Sequence, residues 1–123
     1  MFEIRGKGKV VKVLGRKETS WGAQWKVVVE VPRTKPDGTE TGNKDQLVLV
    51  ANLSKQTGNE NELLNYLQIG MCNTGEEVAF FGHFHAGETK GTQYCYCSVK
   101  QCNTIHAVAA RSWIESNRRK EAV

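Results

Sequence analysis

Two tyrosines alternate with cysteines, and a lysine follows, in segment 93–102, which reads Gln-Tyr-Cys-Tyr-Cys-Ser-Val-Lys-Gln-Cys. Its aromatic and β-branched residues predict a β-strand, and side chains alternate between the two faces of a strand. Tyr94, Tyr96 and Lys100 therefore share one face, and rings beside a cation suit the stacking of nucleic-acid bases next to a phosphate. The other face is small and mostly apolar, as a core requires. A simpler interpretation is that the tyrosines only cover a sheet.

A zinc site is a competing interpretation of the same segment. Zinc ligands of the common type come in pairs about two to four residues apart on a tight turn. Cys95 and Cys97 instead lie along one predicted strand, both on the face that we expect to point into the core, and a buried free cysteine behaves as a small hydrophobic residue. We therefore predict no metal site and no cofactor. The candidate ligands that this prediction sets aside are Cys72, Cys95, Cys97, Cys102, His83 and His85.

The sequence contains no catalytic signature. The motif His83-x-His85-x-x-Glu88 differs from the helical His-Glu-x-x-His of zinc proteases, and the chain lacks the Pro-Cys-x-x-Cys of zinc deaminases. It also lacks a phosphate-binding P-loop and a dinucleotide fingerprint. We predict that the protein is not an enzyme and has no catalytic residues.

Charge is distributed unevenly along the chain, whose formal net charge is +4. Residues 1–30 contain seven Lys or Arg and three Glu, whereas residues 56–89 contain no Lys or Arg and five Glu. A polarised field of this kind can steer a polyanion to one side of a protein. An ordinary solvated surface would account for the same pattern.

The sequence predicts a cytoplasmic protein. No run of residues is long and apolar enough to span a bilayer, and the first residues lack the apolar region of a signal peptide. We expect no membrane partner, and we expect the four cysteines to be reduced.

Periodicity along the chain predicts three strands, a helix, two further strands and a C-terminal helix. Within the first strand, Gly6 and Gly8 indicate the sort of bend that lets a strand pass from one side of a small barrel to the other. In the second strand, Trp25, Val27 and Val29 share a face that we expect to lie in the core. The predicted strands are 4–14, 24–31, 46–51, 77–85 and 93–102, and the predicted helices are 60–69 and 105–120.

Polar segments separate these elements. Segments 15–23, 33–45 and 86–92 contain glycine and are predicted to be loops. Asn59 or Asn61 is expected to cap the first helix, and Gly70 to end it. The cations Arg118, Arg119 and Lys120 are placed where they would suit the dipole at the end of the second helix.

This order of elements is the layout of the OB-fold, a five-stranded Greek-key barrel. Three motifs make the match more specific: Arg5-Gly6-Lys7-Gly8-Lys9-Val10, Ser20-Trp21-Gly22-Ala23-Gln24-Trp25-Lys26 and Glu76-Glu77-Val78-Ala79-Phe80-Phe81-Gly82. In this combination the chain resembles the single-stranded DNA-binding protein family, including its phage, plasmid and primosomal relatives, over roughly residues 3–106. The resemblance implies a mostly β fold, with an OB-fold nucleic-acid-binding domain at 1–106 and a C-terminal helix or basic tail at 107–123.

The resemblance also implies a function and a setting. It implies binding of single-stranded DNA in replication, recombination or DNA transfer, as a homodimer or homotetramer, with replication or recombination proteins as further partners. Bacterial housekeeping members end in an acidic, aromatic tip, whereas this chain ends Arg-Arg-Lys-Glu-Ala-Val. We therefore expect a phage, plasmid or accessory version, in the cytoplasm of a bacterium or of a phage-infected host.

An OB-fold binds strands across its second and third strands and between the loops that join strands 1–2 and 4–5. We expect aromatic platforms and phosphate-binding cations to converge there, with little sequence preference because stacking tolerates every base. A protein-binding adaptor and an RNA-binding module stay open as alternatives. The expected nucleic-acid contacts are Lys12, Arg16, Lys17, Trp21, Lys26, Phe81, Lys90, Tyr94, Tyr96 and Lys100.

Overall fold

The computed structural model describes residues 2–55 and 59–121, and side chains up to residue 117. The predicted side-chain cluster at Arg118, Arg119 and Lys120 therefore lies outside the described side chains. The order of elements is the predicted one. They are β1 (Phe2–Thr19), β2 (Gly22–Thr34), β3 (Glu40–Ser54), α1 (Glu60–Met71), β4 (Glu77–Thr89), β5 (Thr92–Asn103) and α2 (Ala107–Glu121).

The five strands form a closed barrel in the order β1-β2-β3-β5-β4, with β4 returning to β1. Neighbouring strands are antiparallel except for β3 and β5, which are parallel and pair along Val48–Val50 and Tyr96–Ser98. One helix follows β3 and the other follows β5. This is the OB-fold, and the predicted fold class is confirmed.

β1 closes the barrel by pairing on both sides. Its residues Phe2 to Lys9 pair with β4, and Lys9 to Thr19 pair with β2. The predicted passage of the first strand across the barrel is therefore confirmed. A Cβ atom on Gly8 would lie 3.0 Å from the Cβ of Val29, so glycine permits the close crossing at this point.

The barrel interior is filled by β-branched and aromatic side chains, with Trp25 packed against its edge. The predicted core face of β2 is confirmed, since Val27 and Val29 are fully buried. Each such side chain contributes about 1.5–3 kcal/mol by leaving water. The buried cluster consists of Val10, Val27, Val29, Leu49, Ala51, Ile69, Cys72, Val78, Phe80 and Cys97.

The prediction that Cys95 and Cys97 both face the core is right for one of them. Cys97 is fully buried, and burial raises the pKa of its thiol to about 11. Cys95 is exposed. It lies where β5 pairs with β4 but has not yet reached β3, so no barrel interior lies beneath it.

The predicted loops are much shorter in the structure. Segments 15–23, 33–45 and 86–92 are mostly strand, because each antiparallel pair continues to a tight turn. The Lys90–Gly91 turn has positive φ at both residues, 51° and 78°, as a type I′ hairpin requires. These ribbons are polar on both faces and gave no alternating signal in the sequence.

α1 begins as predicted and ends later than predicted. The side chain of Asn59 caps it by accepting a hydrogen bond from the Glu62 amide at 2.8 Å. The helix passes through Gly70 to Met71, so the prediction that Gly70 ends it is wrong. Gly70 instead makes room for Trp25, whose Nε1 would lie 2.6 Å from a Cβ atom at that position.

Buried amides of α1 replace a missing strand partner for β5. Asn65 donates to the carbonyl oxygen of Lys100 at 2.8 Å and accepts from the Cys102 amide at 3.1 Å. Gln68 donates to the Cys102 carbonyl at 3.2 Å and accepts from the Thr104 amide at 2.9 Å. These bonds satisfy the backbone of β5 after it has left β3.

α2 packs on α1 through a stripe of buried side chains at Ala107, Ala110 and Ile114. Its start is fixed by His106, whose Nε2 lies 2.7 Å from Oε2 of Glu76. The division of the chain at residue 106 stays a prediction. Neither helix of the described chain has the length and apolar character needed to cross a membrane.

Candidate nucleic-acid interface

A groove of about 530 Å³ runs over the outer face of β2, β3 and β5. Its floor is apolar, formed by Val48 and Val50, and aromatic rings stand on both banks. We call this surface the groove. It is lined by Leu14, Trp21, Gln24, Lys26, Val48, Val50, Asn52, Tyr94, Cys95, Tyr96 and Ser98.

Strand register brings the lining residues together. Tyr96 lies beside Val48, which lies beside Val28 on the next strand. One step along the barrel, Ser98, Val50 and Lys26 form a second row. Apart from Trp21, which lies in a turn, the lining residues therefore stand on paired strands of the barrel wall.

Three rings stack along the β4–β5 bank. Tyr94 and Tyr96 have centroids 6.3 Å apart with planes inclined by 21°, and Tyr96 stacks on His85 at 4.7 Å and 16°. Tyr94 lies across Gly87, where a Cβ atom would come within 2.5 Å of the tyrosine hydroxyl oxygen. The rings are thus held in place before any ligand arrives.

The sequence offered His85 only as a candidate zinc ligand and as part of a motif that matches no catalytic signature. Its place in the ring stack follows from the hairpin register, which sets it opposite Tyr96. The alternation of β4 already puts His83 and His85 on the face opposite the buried Phe80. That alternation, combined with the position of the Lys90–Gly91 turn, is the sequence signal that places His85 beside Tyr96.

Trp21 stands on the opposite bank of the groove, in the turn between β1 and β2. Its carbonyl accepts a hydrogen bond from the Lys55 amide at 2.9 Å, which ties the turn to the end of β3. Its side chain is 45% exposed and that of Tyr94 is 47% exposed, so both present open ring surface at the groove.

Lysines flank the rings. Lys26 lines the groove, and no carboxylate of the described residues lies within the 4.0 Å of an ion pair from its ammonium group. Lys12 lies opposite Val28 and Lys17 opposite Gln24, which places both one strand away on the same face. Lys90 is at the tip of the β4–β5 hairpin.

Arg16 is turned away from the groove. It lies opposite Trp25, on the other face of β1, and its Nε donates to the hydroxyl of Tyr66 on α1 at 2.7 Å. Its Nη1 lies 3.1 Å from Oε1 of Glu18. The hydrogen bond to Tyr66 and then that to Glu18 raise the pKa of the guanidinium.

Phe81 and Lys100 also lie outside the groove. Phe81 is on the outer face of β4, in its β1-paired half, where the guanidinium carbon of Arg5 lies 5.2 Å from the ring centroid. Lys100 occupies a bulge in β5, between Val99 and Gln101. The structure therefore brings four of the expected contacts into the groove, namely Trp21, Lys26, Tyr94 and Tyr96.

The thiols and histidines form no metal centre among residues 2–55 and 59–121, where no three His, Cys, Asp or Glu side chains are grouped to hold an ion. Burial raises the pKa of Cys72 to about 11 and that of Cys102 to about 12. Both therefore stay protonated thiols at neutral pH. Protonated thiols are poor nucleophiles and poor metal ligands.

Comparison of the sequence with protein-family models and with curated proteins gives no match. Solved structures give clear matches. The structure is similar to a small single-stranded DNA-binding protein from Streptomyces coelicolor, with a TM-score of 0.61 and 15% identity over 87% of this chain and 94% of the other.

It is also similar to the N-terminal domain of PriB from Thermoanaerobacter tencongensis, described as dimeric, with a TM-score of 0.53 and 18% identity over 84% of this chain and 94% of the other. Both comparisons extend over almost the whole length of the other chain. They confirm the resemblance indicated by the sequence at the level of the fold: this chain has the OB-fold of the small single-stranded DNA-binding protein and of PriB.

Proposed function

We propose that this protein binds single-stranded DNA in the groove, with little sequence preference. The observation that carries the proposal is the preformed, partly exposed stack of Tyr94 and Tyr96 in the same groove as Lys26. Successive bases stack on such rings at a gain of about 1–3 kcal/mol per base. The fold likeness to a protein named for single-stranded DNA binding supports the same conclusion.

Each bank of the groove contributes a stacking surface. Tyr94 and Tyr96 offer one stacking surface and Trp21 offers another, across an apolar floor that excludes water. Every base has a flat aromatic face, so stacking of this kind discriminates weakly between sequences. The amides of Gln24 and Asn52 are available to hydrogen-bond to whichever base edge lies above them.

Phosphate contacts come from lysines along the same face. Lys26 binds within the groove, Lys12 and Lys17 along its β1 edge, and Lys90 at the hairpin tip. For single strands the logarithm of affinity falls with the logarithm of salt at about 0.7 per phosphate neutralised. Four lysines engaged together give a slope of about −2.8.

We infer a binding role without catalysis, in the cytoplasm, during replication, recombination or DNA transfer. We propose a phage, plasmid or accessory origin from the resemblance of the sequence to the phage, plasmid and primosomal relatives of the single-stranded DNA-binding protein family. A dimer is the oligomeric state we propose first, since the similar PriB domain is described as dimeric. Replication or recombination proteins are the proposed protein partners.

The test is a titration of tryptophan fluorescence with oligo-dT at two salt concentrations. Trp113→Phe removes the half-exposed indole on α2, so that Trp21 reports mainly from the groove. We expect quenching, a salt-dependent affinity, and a loss of about tenfold or more in Tyr96→Ala. Lys35→Ala is the control, since this exposed lysine lies at the tip of the β2–β3 hairpin and lines no part of the groove.

Two outcomes would overturn the proposal. Absence of binding at low salt by folded protein would leave the adaptor role as the better explanation of the groove. Tighter binding to oligo-rU than to a DNA strand of equal sequence would assign the groove to RNA, because the 2′-hydroxyl is the group that distinguishes them.

A further inference from the structure

A second cavity, of about 640 Å³, opens on the barrel wall beyond the groove. It lies where the outer faces of β1, β4 and β5 meet the two helices. Its lining includes Arg5, Phe81, Gln101 and Arg111. Nothing in the groove uses these residues, although Phe81 has the character of a stacking platform.

We propose that a long single strand leaves the groove along the outer face of β4 and β5 and is bound a second time at this cavity. The proposal rests on the proposed function of the groove and extends it. We call the second contact the exit surface and define it by Arg5, Phe81, Lys100 and Arg111. Its ligand is the sugar-phosphate backbone and bases of the same DNA strand.

The two surfaces are continuous along the barrel wall. The buried positions of β4 are Val78, Phe80 and Gly82, so Phe81, His83 and His85 follow one another on its outer face. From His85 in the ring stack to Phe81 is about 13 Å at the rise of a strand. A nucleic-acid strand bound to Tyr96 can therefore reach Phe81 without crossing an edge of the barrel.

The Arg5–Phe81 pair has the chemistry that single-stranded nucleic acid needs. The guanidinium of Arg5 lies over the ring at 5.2 Å, which fixes a flat cation beside an aromatic surface. A guanidinium plane stacks on bases and keeps its N–H groups for phosphate oxygens. Among the described residues no carboxylate forms an ion pair with Arg5 or Arg111.

A bulge adds another cation at the approach to this cavity. Lys100 is the extra residue in β5, and its carbonyl is held by the amides of Asn61 at 3.0 Å and Asn65 at 2.8 Å. Its side chain is exposed. The bulge therefore places a lysine between the ring stack and Phe81, where a phosphate must pass.

Acidic residues limit the exit surface on one side. Glu60 and Glu115 line an adjoining cavity between α1 and α2, together with Arg111. A polyanion is attracted to the arginines, so we place the far end of the exit surface at Arg111, where the lining changes from arginine to carboxylate.

The experiment compares oligo-dT of about 5 and about 16 nucleotides, near the two ends of the range for one OB-fold. The variants are Phe81→Leu, which keeps apolar cover, and the pair Arg5→Gln with Arg111→Gln. On the long strand we expect about a tenfold loss of affinity for Phe81→Leu, and for the Arg pair a salt slope shallower by about 1.4. On the short strand we expect wild-type affinity.

The controls separate this proposal from the groove itself. Tyr96→Ala should weaken both lengths, and Lys35→Ala should weaken neither. Unchanged binding of the long strand by both exit-surface variants, with the short strand still bound, would overturn the exit surface and leave the groove intact. Failure of wild-type protein to bind either length would instead overturn the function of the groove.

Discussion

Gly87 and Tyr94 pair across the β4–β5 hairpin, and the ring of Tyr94 occupies the space that a side chain at residue 87 would take. Glycine is required here for what lies above it, since its φ is not among the positive values. The tyrosine in turn is held flat over the backbone, next to Tyr96. A platform that is already ordered loses less entropy when a base stacks on it.

Substitution Gly87→Ala should displace this platform. The new Cβ would lie 2.5 Å from the Tyr94 hydroxyl oxygen and 2.7 Å from Cζ, so the ring must move. We expect about a fivefold loss of affinity for oligo-dT with a change in the free energy of unfolding of less than about 1 kcal/mol. Fluorescence titration and chemical denaturation measure the two quantities.

Tyr94→Phe is the matched control, since it keeps the ring and removes only the hydroxyl. Its affinity should stay near that of wild type if stacking is what Tyr94 contributes. Equal affinities of Gly87→Ala and wild type would show that the position of the ring does not matter for binding.

Residue types indicated the rings of the candidate site, whereas the side on which each cation lies was not predictable. Strict alternation in β1 would put Lys12 and Arg16 on one face and Lys17 on the other. The bulge at Leu14 shifts the register by one residue, so Lys12 and Lys17 share the groove side and Arg16 faces Tyr66. Gly15, which follows Leu14 and has a φ of 101°, is the kind of residue found at bulges. A glycine in the sequence does not by itself show that the register shifts, because the shift arises from the pairing of β1 with β2.

At the scale of elements, α1 acts as a substitute strand for the last part of β5. Asn65 and Gln68 are 4% and 1% exposed, and their amides bond to backbone groups that β3 no longer reaches. A leucine-based helical pattern predicted α1, but it gave no sign that two amides form its buried contact. Their role depends on where β5 parts from β3, which is a property of the folded barrel.

Asn65→Leu should therefore destabilise the protein by about 2–4 kcal/mol. It leaves the Lys100 carbonyl with one donor fewer and the Cys102 amide without its acceptor, both partly buried. The midpoint of urea denaturation measures the loss. Asn61→Leu is the matched control, since Asn61 donates to the same carbonyl from an exposed position and should cost less than about 1 kcal/mol.

Equal losses in the two variants would contradict the assigned difference between the buried and the exposed amide.

The long hairpins also differ from what the sequence predicted. The sequence predicted loops at 33–45 and 86–92 because their residues are polar, yet two-stranded ribbons there bury neither face. Their strand structure comes from backbone pairing that continues outward from the barrel.

At the scale of the whole molecule, Glu76 ties three parts of the chain together. Its carbonyl accepts from the Val10 amide at 2.8 Å, its side chain accepts from the Asn73 amide at 2.7 Å, and its Oε2 lies 2.7 Å from His106 Nε2. β1 thus contacts the main chain of Glu76, while the turn before β4 and the start of α2 meet at its carboxylate. Burial raises the pKa of Glu76, but the hydrogen bonds from Asn73 and the contact with His106 outweigh it and hold the pKa below its usual value.

Because the pKa of Glu76 is lowered in the folded protein, we predict that acid destabilises the fold. A carboxyl whose pKa is lower in the folded state stabilises the fold above its unfolded pKa, about 4.5, and loses that contribution as the pH falls through the folded value. We expect the free energy of unfolding to fall below about pH 4.5 in wild type and to fall less steeply in Glu76→Gln. Denaturation with urea at a series of pH values measures both curves.

Glu77→Gln is the control, because Glu77 is exposed and makes a surface ion pair with Lys7 at 3.6 Å. Its curve should run parallel to that of wild type. A Glu76→Gln curve that also runs parallel would show that this carboxylate does not link stability to pH.

The parallel pairing of β3 with β5 is short, covering Val48–Val50 and Tyr96–Ser98, and it lies under the groove. β2 and β3, by comparison, pair from Gly22 and Ser54 outward to Thr34 and Glu40. The pairing of β3 with β5 is therefore the place where the barrel should open most easily. Under the proposed function, a nucleic-acid strand bound to Trp21 and Lys26 on one bank and to the tyrosines on the other would span this pairing. Binding in the groove would then also hold β3 and β5 together and resist opening of the barrel.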